Sequence, residues 1–247
     1  MTAIALTDVW AVGFYDTPAD GALTLTEHWN GVKWSVVPSP SPAKSQKSAE
    51  YLADNTLGAV VAASHNDVWA VGSESNGTDP DHSLIIHWNG AKWKLVPSAP
   101  PAKSIQQTLY AAAIAGNDNV WAVRNFDAGS ESQPLAEHWS GSTWGAVPTP
   151  PLNTTAVSLN RFNGLAAQSS QNVWAVGDML AKGYHALIEH WNGATWKVAP
   201  NPAPNTETEI LSAVASSSSD VWAVGQQGLK GKGPVLIEHL ASCPAKA

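Results

Sequence analysis

A glutamate followed directly by a histidine occurs four times in this sequence, at residues 27–28, 137–138, 189–190 and 238–239. Such a pair can exchange protons with a substrate, and histidine with carboxylate is also a common ligand set for zinc. Both kinds of chemistry need side chains that converge on one point in space. The elements that carry these pairs therefore decide whether they form a site or part of the framework.

The pairs belong to a repeat that runs the length of the chain. A first motif, DVWAVG or a close variant, begins at residues 8, 67, 119, 172 and 220, and a second motif of the type EHWNGxxW follows each copy. The fifth copy of the second motif ends as IEHL, without the turn and the final tryptophan. Self-similarity at such a period indicates a tandem array of one supersecondary unit. We expect a single domain over residues 1–247, with repeats at approximately 1–50, 51–104, 105–157, 158–206 and 207–247.

Each repeat predicts four short strands. A run of small apolar residues, a polar turn and DVWAVG together indicate one hairpin. In the second motif the Asn-Gly pair is typical of a two-residue type I′ turn, which would pair Trp191 with Ala194. Four strands in up-and-down order describe one propeller blade. We therefore expect an all-β, five-bladed β-propeller with four antiparallel strands per blade and three in the last, closed into a ring by packing between the blades.

The motifs resemble those of known propellers. DVWAVG with HWNGxxW looks like the tandem repeats of bacterial proteins whose role is generally unassigned, and it is loosely similar to kelch and Asp-box blades. In Asp-box blades a turn with glycine joins the third and fourth strands ahead of a tryptophan, as Gly193 precedes Trp196 here, but the Ser-x-Asp part of that box is absent. The resemblance implies the fold and no specific activity.

In this architecture the repeated residues are framework. All 13 tryptophans fall in three registers of the repeat, where large side chains fill the wedge between blades. Histidines repeated in five blades are spread around a ring and cannot converge on one metal ion. We expect each to bond the Asp or Asn that opens DVWAVG, or a serine of the preceding turn, similar to the Asp-His-Ser-Trp network of WD-repeat blades. We predict no metal site and no cofactor.

Function is expected where the repeat breaks, on the face that carries the long loops after DVWAVG and between blades. Arg124 replaces the glycine that ends the first motif elsewhere, and Arg161 is the only other arginine in the chain. Adjacent blades would bring both to the same sector. A paired guanidinium site for a carboxylate, sulfate or phosphate is one hypothesis, and two unrelated surface charges are the alternative.

Acidic and aromatic residues appear on the same predicted face. Asp16, Glu74, Asp127 and Asp178 stand just past the predicted second strands, where carboxylates can bind a cation or act as acid and base on a glycosidic bond; solvated loop residues are the alternative. Aromatic rings there could stack on a sugar. The predicted ligand-binding residues are Arg124, Arg161, Tyr110, Tyr15, Asp16, Glu74, Asp127, Asp178, Tyr184 and His185.

Two function classes follow. A non-enzymatic ligand-recognition propeller, lectin-like or protein-binding, is favoured because no nucleophile motif, metal cluster or cofactor loop is visible. The alternative is a glycan-active enzyme, a glycoside hydrolase or lyase, with carboxylates at the channel mouth. Sialidase propellers use three arginines on the substrate, and this chain has two. An arabinanase-type site would need three converging carboxylates, for which Glu209 is a further candidate. The fold does not choose between these classes.

Charge and hydropathy limit the partners and the location. A net charge of −7, with 13 basic against 20 acidic residues, offers no basic face for nucleic acid. No apolar run approaches the length of a membrane span. We expect a monomer that binds a small molecule, a glycan or a protein. The low charged content of 13% and the many tryptophans are typical of secreted bacterial proteins, so we expect a secreted or cell-surface location, with the leader absent from this chain and a cytoplasmic location as the alternative.

Overall fold

The structure of the chain, a computed structural model, describes residues 1–45, 51–99, 105–128, 131–152, 159–180, 183–201, 208–217, 219–228 and 233–241. These residues form nineteen strands in five antiparallel sheets, four of four strands and one of three. We call the sheets blades 1 to 5 in chain order. The predicted all-β class is confirmed, and the count and sizes of the sheets agree with five blades of which the last has three strands. The described residues contain no helix of the length and apolarity that a membrane crossing requires.

Blades 1 to 4 share one layout, in which two or three long strands precede a short outer one, and blade 5 has three long strands without the short one. Blade 1 consists of β1 (Thr2–Ala5), β2 (Asp8–Thr17), β3 (Gly21–Trp29) and β4 (Trp34–Val36). Blade 2 consists of β5 (Asp54–Ser64), β6 (Asp67–Ser75), β7 (His82–Trp88) and β8 (Trp93–Leu95). Blade 3 consists of β9 (Gln106–Gly116), β10 (Asn119–Ala128), β11 (Glu131–Trp139) and β12 (Trp144–Ala146). Blade 4 consists of β13 (Asn160–Ser169), β14 (Asn172–Leu180), β15 (Tyr184–Trp191) and β16 (Trp196–Val198). Blade 5 consists of β17 (Glu209–Ser216), β18 (Asp220–Gln227) and β19 (Val235–Ala241).

The first strand of each blade lies nearest the common axis. β5 packs against β9, β9 against β13, and β13 against β17. Within each sheet the spatial order of the strands follows the sequence, so the chain moves outward from the first strand to the last. A residue on a first strand is therefore placed to face the central channel.

A tryptophan of the first motif stands at the centre of each interface between complete blades. Trp10 lies with its ring centroid 5.0 Å from Trp88 and 5.2 Å from Trp93 of blade 2. The same arrangement recurs between blades 2 and 3 and between blades 3 and 4. Trp10 and its equivalents Trp69 and Trp121 are 1–2% exposed. Three large rings at one contact fill the wedge between two blades, as the repeat predicts.

The repeated histidines are part of the same framework. In all five blades a histidine ring lies against the motif tryptophan, with centroids 4.1–4.5 Å apart. Its Nε2 lies 2.8–2.9 Å from the side-chain oxygen of the Asp or Asn that opens the motif, which confirms the predicted bond. The pairs are His28–Asp8, His87–Asp67, His138–Asn119, His190–Asn172 and His239–Asp220.

The Asn-Gly turn differs from its prediction. Trp191 pairs with Trp196, so the connection contains four residues rather than two. The side-chain oxygen of Asn192 accepts hydrogen bonds from two N–H groups further along the turn, and only Gly193 in this turn has a positive φ, at 92°. An asparagine that closes a turn with its side chain does not need the positive φ that a type I′ turn requires at both central positions. The predicted pairing of Trp191 with Ala194 was therefore wrong.

The second strands continue well beyond the DVWAVG motif. The four acids that were expected just past these strands, Asp16, Glu74, Asp127 and Asp178, lie within β2, β6, β10 and β14. Side chains alternate across a strand, and Glu74 stands two residues after the motif's last position, whereas the other three stand one or three residues after it. Glu74 therefore faces the opposite side of its blade. The loops after DVWAVG are correspondingly shorter than predicted.

Blades 2 to 5 each contain a β-bulge at one position of the first strand. The register shifts there by one residue opposite the end of the DVWAVG motif. A bulge leaves one residue unpaired and changes the direction of its side chain. We call these four the bulge residues: Gly58, Tyr110, Asn163 and Ser212. Neighbouring bulges are in contact, because a Cβ added to Gly58 would lie 3.2 Å from the carbonyl oxygen of Tyr110.

The expected packing of blade 5 against blade 1 is not found among the described residues. First strands pack between blades 1 and 2, 2 and 3, 3 and 4, and 4 and 5, but no comparable contact joins the terminal blades. Trp222 of blade 5 is 47% exposed and Trp34 of blade 1 is 42% exposed. Among the described residues the five blades therefore form an open arc, and the expected closure of the ring by blades 5 and 1 is not seen there.

Candidate functional site

Arg124 lies at a position that is glycine in the other four blades. A Cβ at Gly72, Gly177 or Gly225 would come within 1.9–2.0 Å of a carbonyl oxygen of the first strand, so these blades exclude a side chain there. Blade 3 instead carries a half-buried arginine on β10. The clearest departure from the repeat therefore lies in the middle of a blade, at the level of the bulges.

Two bulge residues hold the Arg124 side chain. Its guanidinium carbon lies 4.5 Å from the centroid of the Tyr110 ring, which is the geometry of a cation–π interaction. Its Nη1 donates a hydrogen bond of 2.7 Å to Oδ1 of Asn163. The Asn163 amide nitrogen in turn donates to Oδ1 of Asp178 at 2.7 Å and to the Leu211 carbonyl at 2.9 Å. The cluster thus connects blades 3, 4 and 5 along the channel.

The two arginines meet at this cluster in different surroundings. Arg161 donates from Nε to Oδ1 of Asp178 at 3.2 Å, and the Asp178 side chain is fully buried. Burial lowers the pKa of Arg124, and the positive charge of Arg161 lowers it further. Among the described residues Arg124 has no ion-pair partner within 4.0 Å. Arg161 is therefore the arginine with a neutralised charge, and Arg124 is the one that can bind an anion.

A cavity of about 320 Å³ opens beside Arg124 and Tyr110. Blade 1 contributes Phe14 to its wall, and blades 2 and 3 contribute most of the remainder. The rings of Phe14 and Tyr110 are each 51% exposed. Three hydroxyl groups complete the lining, those of Thr56, Ser73 and Thr108. Aromatic rings, hydroxyls and one guanidinium around a single space can bind a polar ring that carries a negative charge.

Blade 1 carries two predicted site residues that lie outside this cavity. Tyr15 follows Phe14 on β2, so its side chain takes the opposite face of the strand, and it is 47% exposed. Asp16 lies near Asp54 and Asp81 at the rim between blades 1 and 2. Burial raises the pKa of Asp54, and the two neighbouring negative charges raise it further.

The remaining predicted residues are also separate from the cluster. Glu74 accepts a backbone hydrogen bond from Ala43, and burial raises its pKa. Asp127 is half-buried near the end of β10. Tyr184 and His185 are half-buried at the start of β15. Of the ten residues predicted from the sequence, the structure brings together Arg124, Arg161, Tyr110 and Asp178.

Sequence reasoning missed Asn163, the residue that connects Arg124 to Asp178. It also missed Phe14 and the three hydroxyls of the cavity. A signal was present, because Asn163 is a polar residue inside an apolar first strand, at the position of Gly58 in blade 2. The role of Asn163 depends on the bulge, which directs this position toward the channel. The residue types of these strands do not predict the bulge.

Three of the four repeated glutamates, Glu137, Glu189 and Glu238, are buried, whereas Glu27 is half-buried. Glu137 accepts hydrogen bonds from the Ser98 hydroxyl at 2.9 and 3.1 Å; burial raises its pKa, and these bonds partly offset that rise. Glu189, its equivalent in blade 4, has no hydrogen-bond partner for either oxygen among the described residues, and burial raises its pKa to about 8. Within the part of the chain that the structure describes, no three His, Cys, Asp or Glu side chains lie together in a group that could hold a metal ion.

A larger cavity, of about 600 Å³, lies on the outer part of blade 3. Its wall is mainly proline and aliphatic, with Pro134, Pro148, Pro150 and Pro151 among the lining residues. It contains no charged side chain. Gln133 and Thr149 carry the only polar side chains among its described lining residues. The cavity beside Arg124 combines a guanidinium with three hydroxyls and is therefore the stronger candidate site; we call it the channel-side cavity.

No protein-family model and no curated protein matches this chain. Among solved structures, the chain is similar to an ulvan lyase, a polysaccharide lyase, with 10% identity, a TM-score of 0.63 and coverage of 97% of this chain and 63% of that one. It is also similar to an Aleuria aurantia lectin variant in complex with Fucα1-6GlcNAc, with 14% identity, a TM-score of 0.54 and coverage of 96% and 76%. A second structure of that fungal lectin, described as a six-bladed β-propeller, aligns at 15% identity with a TM-score of 0.51 and the same coverage. The chain thus spans less than two thirds of the lyase, and at these identities the likeness shows the β-propeller fold alone.

Proposed function

We propose that this chain is a non-enzymatic recognition propeller that binds an acidic carbohydrate in the channel-side cavity, whose wall includes Tyr110 and Arg124. One observation carries the proposal: the half-buried guanidinium stands where the other blades have glycine, over the ring of a bulge residue and at the wall of a cavity. Partial burial of a charged side chain costs free energy, and the other four blades form with glycine at this position. The fold therefore does not require the arginine, which supports a role for it in binding.

The charge chemistry favours a carboxylate or sulfate group. The Nη1 atom of Arg124 is engaged by Asn163 and, at 3.5 Å, by the Phe162 carbonyl. Its Nε and Nη2 atoms have no acceptor among the described residues. These two atoms form the parallel pair of donors that binds a carboxylate or sulfate in a bidentate manner. Partial burial strengthens such a contact, because the local dielectric is lower than in water.

The shape of the cavity favours a sugar as the carrier of that charge. The exposed rings of Phe14 and Tyr110 offer apolar faces for stacking, and the hydroxyls of Thr56, Ser73 and Thr108 can exchange hydrogen bonds with those of a sugar. The likeness to a fucose-binding lectin and to a polysaccharide lyase supports this choice of ligand class. The first is described as a six-bladed β-propeller that recognises fucose, and the second as a polysaccharide lyase.

The test is a glycan array rich in uronate- and sulfate-bearing oligosaccharides, followed by titration calorimetry on the best binder. Arg124→Met keeps the length of the side chain and removes the charge, so it should weaken binding by about 10- to 100-fold, the size expected for a charged hydrogen bond. Tyr110→Ala should weaken it by a similar or smaller factor. Tyr15→Ala is the matched control, because Tyr15 is 47% exposed, as against 51% for Tyr110, and lies outside the cavity. Equal affinity of Arg124→Met and the unmodified chain would rule out this site.

The alternative, a glycan-active enzyme, has one observation in its favour. Asp178 is a fully buried carboxylate whose Oδ2 accepts no hydrogen bond from the residues that the structure describes. Its other oxygen is bonded by Arg161 and Asn163, which suits an orienting role better than proton transfer. Incubation with acidic polysaccharides should release no products. Turnover that is abolished by Asp178→Asn would replace the binding function with the enzymatic one.

A further inference from the structure

The end face of blade 5 carries Trp222, whose equivalents in blades 1 to 3 are buried against the next blade. In blades 1 to 3 the motif tryptophan packs against a pair of tryptophans of the next blade, one from the HW position and one after the turn. The equivalent Trp222 is 47% exposed, and Val224 and Ile237 beside it are 41% and 62% exposed. Their equivalents in blade 4, Val176 and Ile188, are 0% and 1% exposed. The face of blade 5 thus consists of residue types that are buried by a neighbouring blade elsewhere in the fold, but among the described residues no blade packs on it.

The opposite end of the arc carries the complementary feature. Trp29 and Trp34 of blade 1 form a tryptophan pair with centroids 5.9 Å apart, the same as the 5.9 Å of Trp88 and Trp93 in blade 2. Trp34 is 42% exposed, whereas Trp93 is 5% exposed. Blade 1 therefore presents a formed tryptophan pair into which no motif tryptophan inserts.

The likeness to a six-bladed propeller indicates the size of the gap between these two faces. The chain aligns over 96% of its length with 76% of a propeller described as six-bladed. Five blades that follow such a ring leave the space of one blade between their ends. A second copy of the whole arc would bring five blades to a gap of that size, so a single blade fits the space better.

We propose that the two end faces are the docking surface for one further blade of the same DVWAVG and HWNGxxW type. Its tryptophan pair receives Trp222, and its motif tryptophan enters the pair of Trp29 and Trp34. Both contacts repeat interfaces that the structure already contains, and together they complete a six-bladed ring. The proposal is independent of the carbohydrate site.

A fusion built from the chain itself tests this docking surface. In this fusion a second copy of residues 51–112 is placed directly before Thr2. Ala113 and Thr2 both pair with the motif tryptophan of their blade, so the end of the added copy leads into β1 in register. The fusion should unfold at a higher denaturant concentration than the 247-residue chain. Trp222→Ser should lower that midpoint strongly in the fusion and only slightly in the unfused chain. A matched fusion whose added copy carries Trp88→Ser and Trp93→Ser should lose the sensitivity to Trp222→Ser.

Measurements on the unfused chain keep the proposal testable if the fusion does not fold. Iodide should quench the fluorescence of the chain more than that of its Trp222→Phe variant, because Trp222 is open to solvent. Equal quenching would show that the face is already covered and would overturn the proposal. Sedimentation should show a monomer. An oligomer that Trp222→Ser dissociates would make a second copy the occupant, and a fusion that folds without a gain in stability would also contradict the proposal.

Discussion

The interface between blades 2 and 3 and the end face of blade 5 place the same tryptophan in two environments. Trp69 is 2% exposed and lies against Trp139 and Trp144, whereas Trp222 is 47% exposed and contacts only the histidine of its own blade among the aromatic rings described. The local sequence around both is DVWAVG. The comparison shows that the motif fixes the conformation of the strand and the Trp–His contact, while the neighbouring blade determines how much the residue stabilises the fold.

The largest expected effect contrasts these two tryptophans directly. Trp69→Ala removes a buried ring that packs against His87, Trp139 and Trp144, and it should lower the free energy of unfolding by about 3 to 5 kcal/mol. Trp222→Ala removes a ring that is 47% exposed and should cost about 2 kcal/mol, in proportion to the smaller area buried. Urea denaturation followed by circular dichroism measures both. Equal losses would mean that the end face of blade 5 is covered in solution.

The part of the fold that repeats could be predicted from the sequence for a physical reason. Five copies of Trp, His and Asp or Asn at one spacing report the same contact five times, so the blade, its hairpins and the His–Asp bonds follow from the pattern. The closure of the ring could not be predicted, because it depends on the angle between blades, to which no single residue corresponds. The Asn192 turn was mispredicted because its side chain, and not its backbone φ, closes the loop.

A second comparison concerns two equivalent glutamates. Glu137 has the Ser98 hydroxyl as partner, whereas Glu189 has none and its pKa is raised from 4.5 to about 8. Between these two values the folded chain holds a proton that the unfolded chain releases, so stability falls as the pH rises through this window. The slope is at most about 1.4 kcal/mol per pH unit for one proton. Glu189→Gln cannot ionise, so it should flatten this dependence and stabilise the chain at pH 8.

Urea denaturation at a series of pH values from 5 to 9 measures this effect. Glu137→Gln is the matched control, since it replaces the same residue type in the same register but removes an acceptor that Ser98 uses. It should flatten the pH profile less and should destabilise the chain at neutral pH. If the unmodified chain and Glu189→Gln have parallel profiles, Glu189 is ionised in the folded chain and is solvated or paired.

A third comparison sets the bulge residues against one another. Asn163 bonds Arg124 and the Leu211 carbonyl of blade 5, whereas Ser212 occupies the same register and, among the described residues, forms no hydrogen bond with this cluster. Asn163→Ala should cost about 1 to 2 kcal/mol of stability, because it leaves a buried Asp178 oxygen with one partner fewer. It should also weaken acidic-glycan binding by releasing Arg124. Ser212→Ala should change neither, and calorimetry on both variants with the same ligand tests the difference.

The candidate site was only partly predictable from the sequence. Arg124 was visible because it interrupts a repeat, and a break in a fivefold pattern is easily detected. Asp178 was identified for the wrong reason, as one of four acids in a ring, when its register differs from that of Asp16 and Asp127. Asn163 stood out only as a polar residue in an apolar strand, and its role could not be predicted because it depends on a bulge. A shift of one residue in register changes the direction of a side chain without changing the composition of the strand.

The smallest expected effect separates the blades whose motif opens with Asp from the two that open with Asn. His138 bonds Asn119 at 2.9 Å, and burial lowers the pKa of its ring. A lowered pKa means that the folded chain binds a proton less readily than the unfolded chain, so this part of the stability is lost as the pH falls below 6.5. Asn119→Asp places a carboxylate at the same distance, which should raise the pKa of His138 and add about 0.5 to 1 kcal/mol of stability at pH 5. NMR titration of the His138 ring measures the pKa, and Asn172→Asp, which should act in the same way on His190, is the matched variant. If neither ring shifts, the carboxylate is turned away and the bond depends on the amide alone.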